Sequence, residues 1–168
     1  MKSIEEIETD IMTMFATTNS KPGHVLSHRQ LSAYIRDNLN PREQSLVDPA
    51  IDQLIERGYI SVKNIRGADN LALTDTGYEF IYPIDNEDTI SNIQERIMGQ
   101  FRRLNYRVNN MIQMRWITQN LIPSLNQRER EMVAEALQGL ENLEYITYEN
   151  RTVEGIVLTE QGFDYIYQ

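Results

Sequence analysis

Apolar residues recur at helical spacing at the start of the chain and again near its middle. Ile4, Ile7, Ile11 and Phe15 follow the period of one helix face. The same pattern returns 86 positions later, over residues 90–101. Both stretches are therefore predicted to be amphipathic helices that bury one face.

The two halves of the chain match well beyond these helices. Residues 73–82 read LTDTGYEFIY, and residues 158–167 read LTEQGFDYIY. The shift of 86 residues holds as far as Tyr59 and Tyr145, and it becomes 85 before the quoted stretches. So many matches in one register indicate a tandem duplication with a one-residue deletion.

Each half is predicted to contain the same elements in the same order. The first helix is followed by a short extended piece (24–26 and 110–112), a second helix (27–39 and 113–125) and a third helix that begins after Asn40 or Asn126. A hairpin comes next, with a strand (59–62 and 145–148), a polar turn (66–70 and 150–155) and a return strand that ends at Leu73 or Leu158. A final helix completes each half. The buried face of the third helix is predicted to be Val47, Ala50 and Leu54, or Val133, Ala136 and Leu140.

Capping residues and glycines refine these predictions. Ser3 has the position of an N-cap with a capping box, and Thr89 is its predicted equivalent in the second half. Thr74 and Thr159 are predicted to cap the final helices, and Ser27 the second helix. Gly58 suits a helix end, while Gly77 and Gly162 are predicted to let the final helix approach its neighbour closely.

Helix, short strand, helix, helix and hairpin is the order of a winged helix-turn-helix domain. Each half is similar to the winged-helix domains of prokaryotic regulators such as the MarR and PadR groups. The similarity rests on this order and on a wing strand ending Leu-Thr-x-x-Gly, at 73–77 and 158–162. It implies an α+β, mainly α fold with winged-helix domains at 1–84 and 85–168. The long extra helix by which those regulators dimerise is missing, so their quaternary structure is not implied.

The charge of the chain limits its partners. The 168 residues carry a net charge of −9 with a pI near 4.7, so binding to phosphates would require a local basic patch. There is no cysteine, which excludes disulfides and thiolate metal sites. The charged N-terminus and the lack of a long apolar run predict a soluble, cytoplasmic protein without membrane contact.

Catalytic motifs are missing from the sequence. The two histidines, His24 and His28, have no cysteine or carboxylate motif beside them, and neither a P-loop nor GxGxxG occurs. We therefore expect no enzyme activity, no metal, no cofactor and no small-molecule substrate.

Arginines provide the candidates for DNA contact. In a winged helix the third helix enters the major groove and the wing touches the backbone. Arginines begin both third helices, Arg66 and Arg151 lie in the wings, and further arginines cluster at 102–107. Acidic residues further along the third helices would repel phosphate, and the cluster at 102–107 could instead offset neighbouring acids. The candidate nucleic-acid-binding residues are Arg42, Arg66, Arg102, Arg103, Arg107, Arg115, Arg128 and Arg130.

Positions that are polar in the first half and apolar in the second suggest a contact surface. The changes are Thr18 to Leu104, Ser20 to Tyr106, Gln30 to Trp116, Arg36 to Ile122 and Arg57 to Leu143. The five apolar residues are predicted to pack against the other lobe, a second copy of the chain or a separate protein.

Two functions are consistent with these patterns. The first is a non-enzymatic, DNA-associated transcriptional regulator, which the winged-helix similarity favours. The alternative is an acidic tandem winged-helix adaptor that binds proteins without touching DNA, which the net charge favours.

Overall fold

The computed structural model describes residues 1–83, 86–150 and 152–168. The chain forms two compact units, Met1–Pro83 and Ile84–Gln168. The described residues are mainly helical, with two small antiparallel sheets of three strands each. The predicted α+β, mainly α class is therefore confirmed. None of the helices in these ranges combines the length and apolar content that a membrane span requires.

The first unit surrounds its sheet with five helices. They and the strands are α1 (Ile4–Thr17), β1 (Val25–Leu26), α2 (His28–Tyr34), a 3-10 turn (Arg36–Asn38), α3 (Pro41–Gln44), α4 (Val47–Glu56), β2 (Ile60–Ile65), β3 (Ala68–Leu73) and α5 (Asp75–Ile81). The strand order is β1-β3-β2, with all pairs antiparallel. The short extended piece therefore becomes the third strand of the hairpin sheet.

The second unit has a similar order of elements. They are α6 (Asn86–Arg103), β4 (Met111–Gln113), α7 (Met114–Trp116), a π-helical segment (Ile117–Leu121), a 3-10 turn (Ile122–Ser124), α8 (Gln127–Asn142), β5 (Ile146–Asn150), β6 (Glu154–Leu158) and α9 (Glu160–Tyr167). Its strand order is β4-β6-β5, again antiparallel.

Each unit has its own core, formed by the faces that the apolar spacing predicts. Every residue predicted to line the buried face of the third helix is buried in both units. Ile7, Ile11 and Phe15 of α1 are fully buried against them, and α6 contributes Ile97 and Phe101 in the same way. Fully burying one such side chain stabilises the fold by roughly 1.5–3 kcal/mol.

The predicted caps are confirmed at six of seven positions, and Asn40 and Asn126 cap α3 and α8 as predicted. Ser3 forms a capping box at α1, Ser27 caps α2, and Thr74 and Thr159 accept hydrogen bonds at the starts of α5 and α9. The prediction for Thr89 is wrong, because α6 begins three residues earlier, at Asn86. The acidic residues of its first turn favour this longer helix through the helix dipole.

Two predicted helices are not continuous α-helices, and a proline explains one of the two breaks. The third helix of the first unit breaks between α3 and α4, whereas α8 is continuous. Pro49 has no N–H to donate to the carbonyl of Ser45, and its ring crowds that carbonyl. The predicted second helix of the second unit is α-helical only over Met114–Trp116 and continues as the π-helical segment and the 3-10 turn, which contains Pro123. In the first unit, the side chain of Asn38 donates to the carbonyl of Tyr34, where α2 ends.

The hairpin of the first unit is tighter than predicted. Only Arg66 and Gly67 lie between the paired residues Ile65 and Ala68, and both have positive φ, as a type I′ turn requires. Residues 69 and 70 belong to β3 rather than to the turn. The matching loop of the second unit contains Arg151, which lies outside the described residues.

The glycine predictions are confirmed. A Cβ on Gly77 would lie 1.9 Å from the carbonyl oxygen of Tyr59, and one on Gly162 would lie 2.0 Å from that of Tyr145. Gly58 follows α4 with a φ of +73°, and Glu144 takes the matching place after α8 with a φ of +58°. Only a residue without a Cβ allows the first two approaches.

Candidate functional site

The face on which DNA is predicted to lie is mixed in charge. Arg42 is exposed in α3, where its backbone N–H donates to the side chain of Asn40 at 3.0 Å. Arg128 is half-buried at the start of α8. The remainder of the outward face carries exposed carboxylates on both third helices, namely Asp48, Asp52 and Glu56 on α4 and Glu131 and Glu135 on α8. Phosphates approaching along these helices would therefore meet negative charge.

Among the residues that the structure describes, the hairpins carry two basic side chains, Lys63 and Arg66, both in the first hairpin. Arg66 is exposed at the tip of the first hairpin. In the second hairpin, the hydroxyl of Tyr148 donates to Glu154, and this hydrogen bond raises the pKa of Tyr148. The described residues of the second hairpin thus include a carboxylate and an aromatic side chain where a wing would meet the DNA backbone.

Arg102 links the first and last helices of the second unit. Its Nε donates to the carbonyl of Ile166 at 2.9 Å, and its Nη1 lies 3.5 Å from Oε1 of Glu95. The hydroxyl of Tyr165 donates to Oε2 of Glu95 at 3.1 Å, and this bond raises the pKa of Tyr165. These contacts give Arg102 a structural role in joining α6 to α9.

Arg130 also serves the structure of its own unit. Its Nε donates to the carbonyls of Ile122 and Leu125, at 3.1 and 2.9 Å. It thereby supplies a donor to the carbonyl of Leu125 and a second donor to that of Ile122, which also accepts from the backbone N–H of Leu125 at 3.1 Å. A role for Arg102 or Arg130 in nucleic-acid binding stays a prediction, as it does for the other six arginines.

The predicted contact residues divide into two groups. Tyr106, Trp116 and Ile122 are half-buried against the core of the second unit. Leu104 and Leu143 are 41% and 50% exposed. One premise of the prediction is wrong: Ser20, the counterpart of Tyr106, does not face water.

Ser20 is fully buried in the first unit. Its hydroxyl is 2.8 Å from that of Thr18, within hydrogen-bonding distance. Burial of Tyr106 at the matching place therefore extends the core of the second unit, and gives no evidence for a contact surface by itself.

Three of the predicted contact residues nevertheless meet at one place. Leu104, Tyr106 and Trp116 line a groove of about 300 Å³ in the second unit, together with Met111. We refer to it as the Trp116 groove. Ile122 and Leu143 do not line it.

The polar lining of the Trp116 groove consists of amides and one guanidinium. These side chains are Gln100, Gln113, Arg115, Gln119 and Asn120. No carboxylate is among them, although acidic residues outnumber basic ones by 25 to 16 in the chain. Arg115, predicted as a nucleic-acid contact, therefore lies beside the aromatic residues that were predicted to bind a partner.

The sequence does not predict the amide side chains of this groove as site residues. Gln113, Gln119 and Asn120 come from β4 and the π-helical segment, while Gln100 comes from α6. An isolated glutamine has no sequence signature, so only the fold shows that these side chains converge. The one available signal is the polar run around Trp116, which reads QMRWITQN.

A wider depression of the second unit has the opposite charge. It has a volume of about 660 Å³, and its carboxylates are Glu141, Glu144, Glu160 and Asp164. Within the described ranges, no group of three or more His, Asp or Glu side chains has the arrangement of a metal site. The two depressions of the second unit thus differ in charge, since this one is lined by carboxylates and the Trp116 groove by a guanidinium.

A comparison of the chain with models of protein families and with curated proteins finds no match. The function must therefore be argued from the residues.

Proposed function

We propose that the chain is a non-enzymatic tandem winged-helix protein, derived by duplication, that acts as a regulatory adaptor through contacts with other proteins. The order of helices and strands, the shared sheet order and the hairpin before the last helix support the winged-helix assignment in each unit. The Leu-Thr-x-x-Gly pattern supports it further, because its threonine caps the last helix and its glycine permits the close approach.

The distribution of charge is the observation that favours protein partners rather than DNA. The exposed faces of α4 and α8 bear carboxylates, and two of the eight candidate arginines are bonded to carbonyls of their own unit. The Trp116 groove, by contrast, combines aromatic and aliphatic surface with hydrogen-bond donors. Protein interfaces are enriched in aromatic residues and arginine at their centres.

Direct DNA binding by a transcriptional regulator is the second candidate. The observation that favours it is the exposure of Arg42 in α3 and of Arg66 at the hairpin tip. Both are positions from which a winged helix touches DNA. Arg107 and Arg115 are also exposed in the second unit.

Fluorescence anisotropy of mixed-sequence duplex DNA, titrated with the full chain over a salt series, separates the two candidates. For an adaptor we expect no binding that weakens linearly with the logarithm of salt concentration. If such binding is found, and the double variant Arg42→Gln with Arg66→Gln reduces its salt slope, DNA binding replaces the adaptor as the function.

The adaptor requires a positive test as well. Partners that copurify with the full chain from its source organism would be identified, purified and recombined with it. A direct complex of defined stoichiometry is expected. If no purified candidate binds the chain, the adaptor function is wrong.

A further inference from the structure

The Trp116 groove presents hydrogen-bond donors around an apolar floor. Leu104 and Met111 provide aliphatic surface, and Tyr106 and Trp116 provide aromatic surface. Each amide on the rim has donor N–H groups, and the only charged side chain is Arg115. A ligand that matches this lining has a large apolar group next to hydrogen-bond acceptors or negative charge.

The side chain of Gln100 is held by a hydrogen bond to its oxygen, which leaves its amide N–H groups available. This side chain is only 7% exposed, and its Oε1 accepts a hydrogen bond from Nε of Arg103 at 2.9 Å. Its amide nitrogen donates to none of the residues that the structure describes. This N–H group is not among the fully buried atoms that lack a partner, so it is open to donate to an acceptor that displaces water from the groove.

Arg115 is held in place at the rim. It is exposed, and its Nε donates to Oε1 of Gln119 at 2.9 Å. Both residues line the groove, so the remaining guanidinium N–H groups stay near the opening. A guanidinium binds a carboxylate through charge-assisted hydrogen bonds, often with two of its N–H groups.

The backbone beneath this rim has an unusual conformation. Residues Ile117–Leu121 form a π-helical segment, which positions Gln119 and Asn120. The matching stretch of the first unit has the same number of residues and is α-helical up to Tyr34. Because π-helical segments are rare and occur frequently at functional sites, this difference supports a binding role.

We propose that the Trp116 groove binds an acidic segment of a partner protein, with an apolar side chain on Trp116 and Leu104 and a carboxylate on Arg115 and Gln100. This inference rests on the proposed adaptor function and specifies the chemistry of the partner. The complementarity is one of charge, because Arg115 and no carboxylate is found among the described residues that line the groove.

A protein segment fits the groove better than a nucleic acid. Trp116 and Tyr106 are half-buried and share the lining with the aliphatic side chains of Leu104 and Met111, a surface that suits an apolar side chain. A nucleic acid would also bring many phosphates to a chain with a net charge of −9, whereas a peptide brings one or two carboxylates.

The fluorescence of Trp116 reports on the groove directly, because it is the only tryptophan of the chain. The full chain would be titrated with a pool of nine-residue peptides without tryptophan, each with Leu, Ile or Phe beside two Asp or Glu residues. A second pool would carry Asn and Gln in place of the acids. Nine-nucleotide oligothymidine and dilution of the protein itself complete the set of probes.

We expect the acidic pool alone to change the fluorescence. Arg115→Gln should weaken binding roughly fivefold, as expected for an exposed ion pair. Arg29→Gln, the matching change in the first unit, should leave it unaltered. Leu104→Ala should weaken binding by about fivefold through lost apolar contact, whereas Leu143→Ala, at an equally exposed leucine outside the groove, should not.

Four results would overturn the inference: equal binding of both peptide pools, no response to any peptide, a response to oligothymidine only, or a response to self-dilution only. Equal loss in the Arg115 and Arg29 variants would also overturn it. A purified partner that binds the Arg115→Gln variant normally would refute the groove and leave the adaptor function intact. Conversely, a failed search for partners with a positive peptide titration would refute the adaptor and leave the groove.

Discussion

Replacement of Gly162 by alanine should destabilise the second unit strongly. The new Cβ would lie 2.0 Å from the carbonyl oxygen of Tyr145, where a normal carbon–oxygen contact is roughly 3.3 Å or more. The obstacle is backbone, so no side-chain rotation relieves it. Either α9 or the end of the loop between α8 and β5, which contains Tyr145, must move by about 1 Å.

That movement would disturb the cap of α9 as well. The carbonyl of Tyr145 accepts hydrogen bonds from the backbone N–H and the hydroxyl of Thr159, at 3.2 and 3.1 Å. Overpacking costs about 1–3 kcal/mol and each weakened hydrogen bond about 1 kcal/mol. The better helix propensity of alanine offsets about 1 kcal/mol. The free energy of unfolding should therefore fall by about 2–4 kcal/mol.

Thermal unfolding followed by Trp116 fluorescence measures this loss in the second unit. A loss of about 2 kcal/mol corresponds to a decrease in Tm of roughly 8–16 °C for a unit of this size. The matched control is Gly99→Ala in α6, where an added Cβ has no neighbour within 4 Å. That control should raise the free energy of unfolding by about 0.5–1 kcal/mol. If both variants shift Tm in the same direction, the argument from close approach is wrong.

Three further predictions concern single contacts. Glu144→Gly should stabilise the second unit by about 0.5–1 kcal/mol in urea unfolding, because φ is +58° at this helix end; an unchanged midpoint would contradict this. Arg57→Leu removes the cation 2.9 Å from the buried Glu8 carboxylate and should lower the free energy of unfolding by about 2 kcal/mol. Adding Glu8→Gln should restore part of that loss, and strictly additive effects of the two substitutions would refute the coupling. The backbone N–H groups of Lys2 and then Asn40 donate to the carboxylate of Glu43 and lower its pKa, so its contribution to stability is complete above the unfolded-state pKa and is lost as the pH falls below about 4.5 through the folded-state pKa. Glu43→Gln should flatten this part of the stability–pH curve, and an identical acid slope in both proteins would count against the argument.

Much of the local structure was predictable because its causes are local. Ser3 and Thr74 cap helices whose first residues lie within three positions of them, so the signal is contained in a few adjacent letters. The buried face of the third helix follows from its periodicity alone, and comparison of the two halves checked it. The close approach at Gly77 was predictable for a different reason, since the same glycine recurs at the same place.

The errors arose where one local signal overrode another, or where the decisive contact is distant in sequence. Thr89 is a good cap by type, but the helix extends past it to Asn86. The effect of Pro49 depends on the carbonyl four residues earlier, which a search for buried faces ignores. Ser20 was taken as exposed because serine usually is, yet the fold buries it.

The candidate groove was predictable only in part. Trp116 and Leu104 stood out because their counterparts in the first half are polar. Gln100 could not stand out, because a glutamine on a helix gives no sign of which side chains it will meet. Its convergence with Arg115 depends on where the fold places α6 relative to α7, and this is not contained in either local sequence.

Some differences between matching positions of the two units are accommodated by a second difference within the same unit, and others are not. Gln94 of α6 takes the place of Glu8, and its Nε2 donates to the carbonyl of Ala136 at 3.1 Å. Gly139 makes room for it, since a Cβ there would lie 2.4 Å from that nitrogen. These two changes therefore complete each other within the second unit.

The changes at the Trp116 groove are not completed in this way. Leu104 replaces a threonine and remains 41% exposed, and Trp116 replaces a glutamine at the edge of an open groove. Exposed apolar surface is unfavourable for an isolated unit unless something covers it during function. Internal packing explains the first pair of changes in full, but it covers Trp116 only in part and leaves Leu104 41% exposed, so the groove is where a partner should be sought.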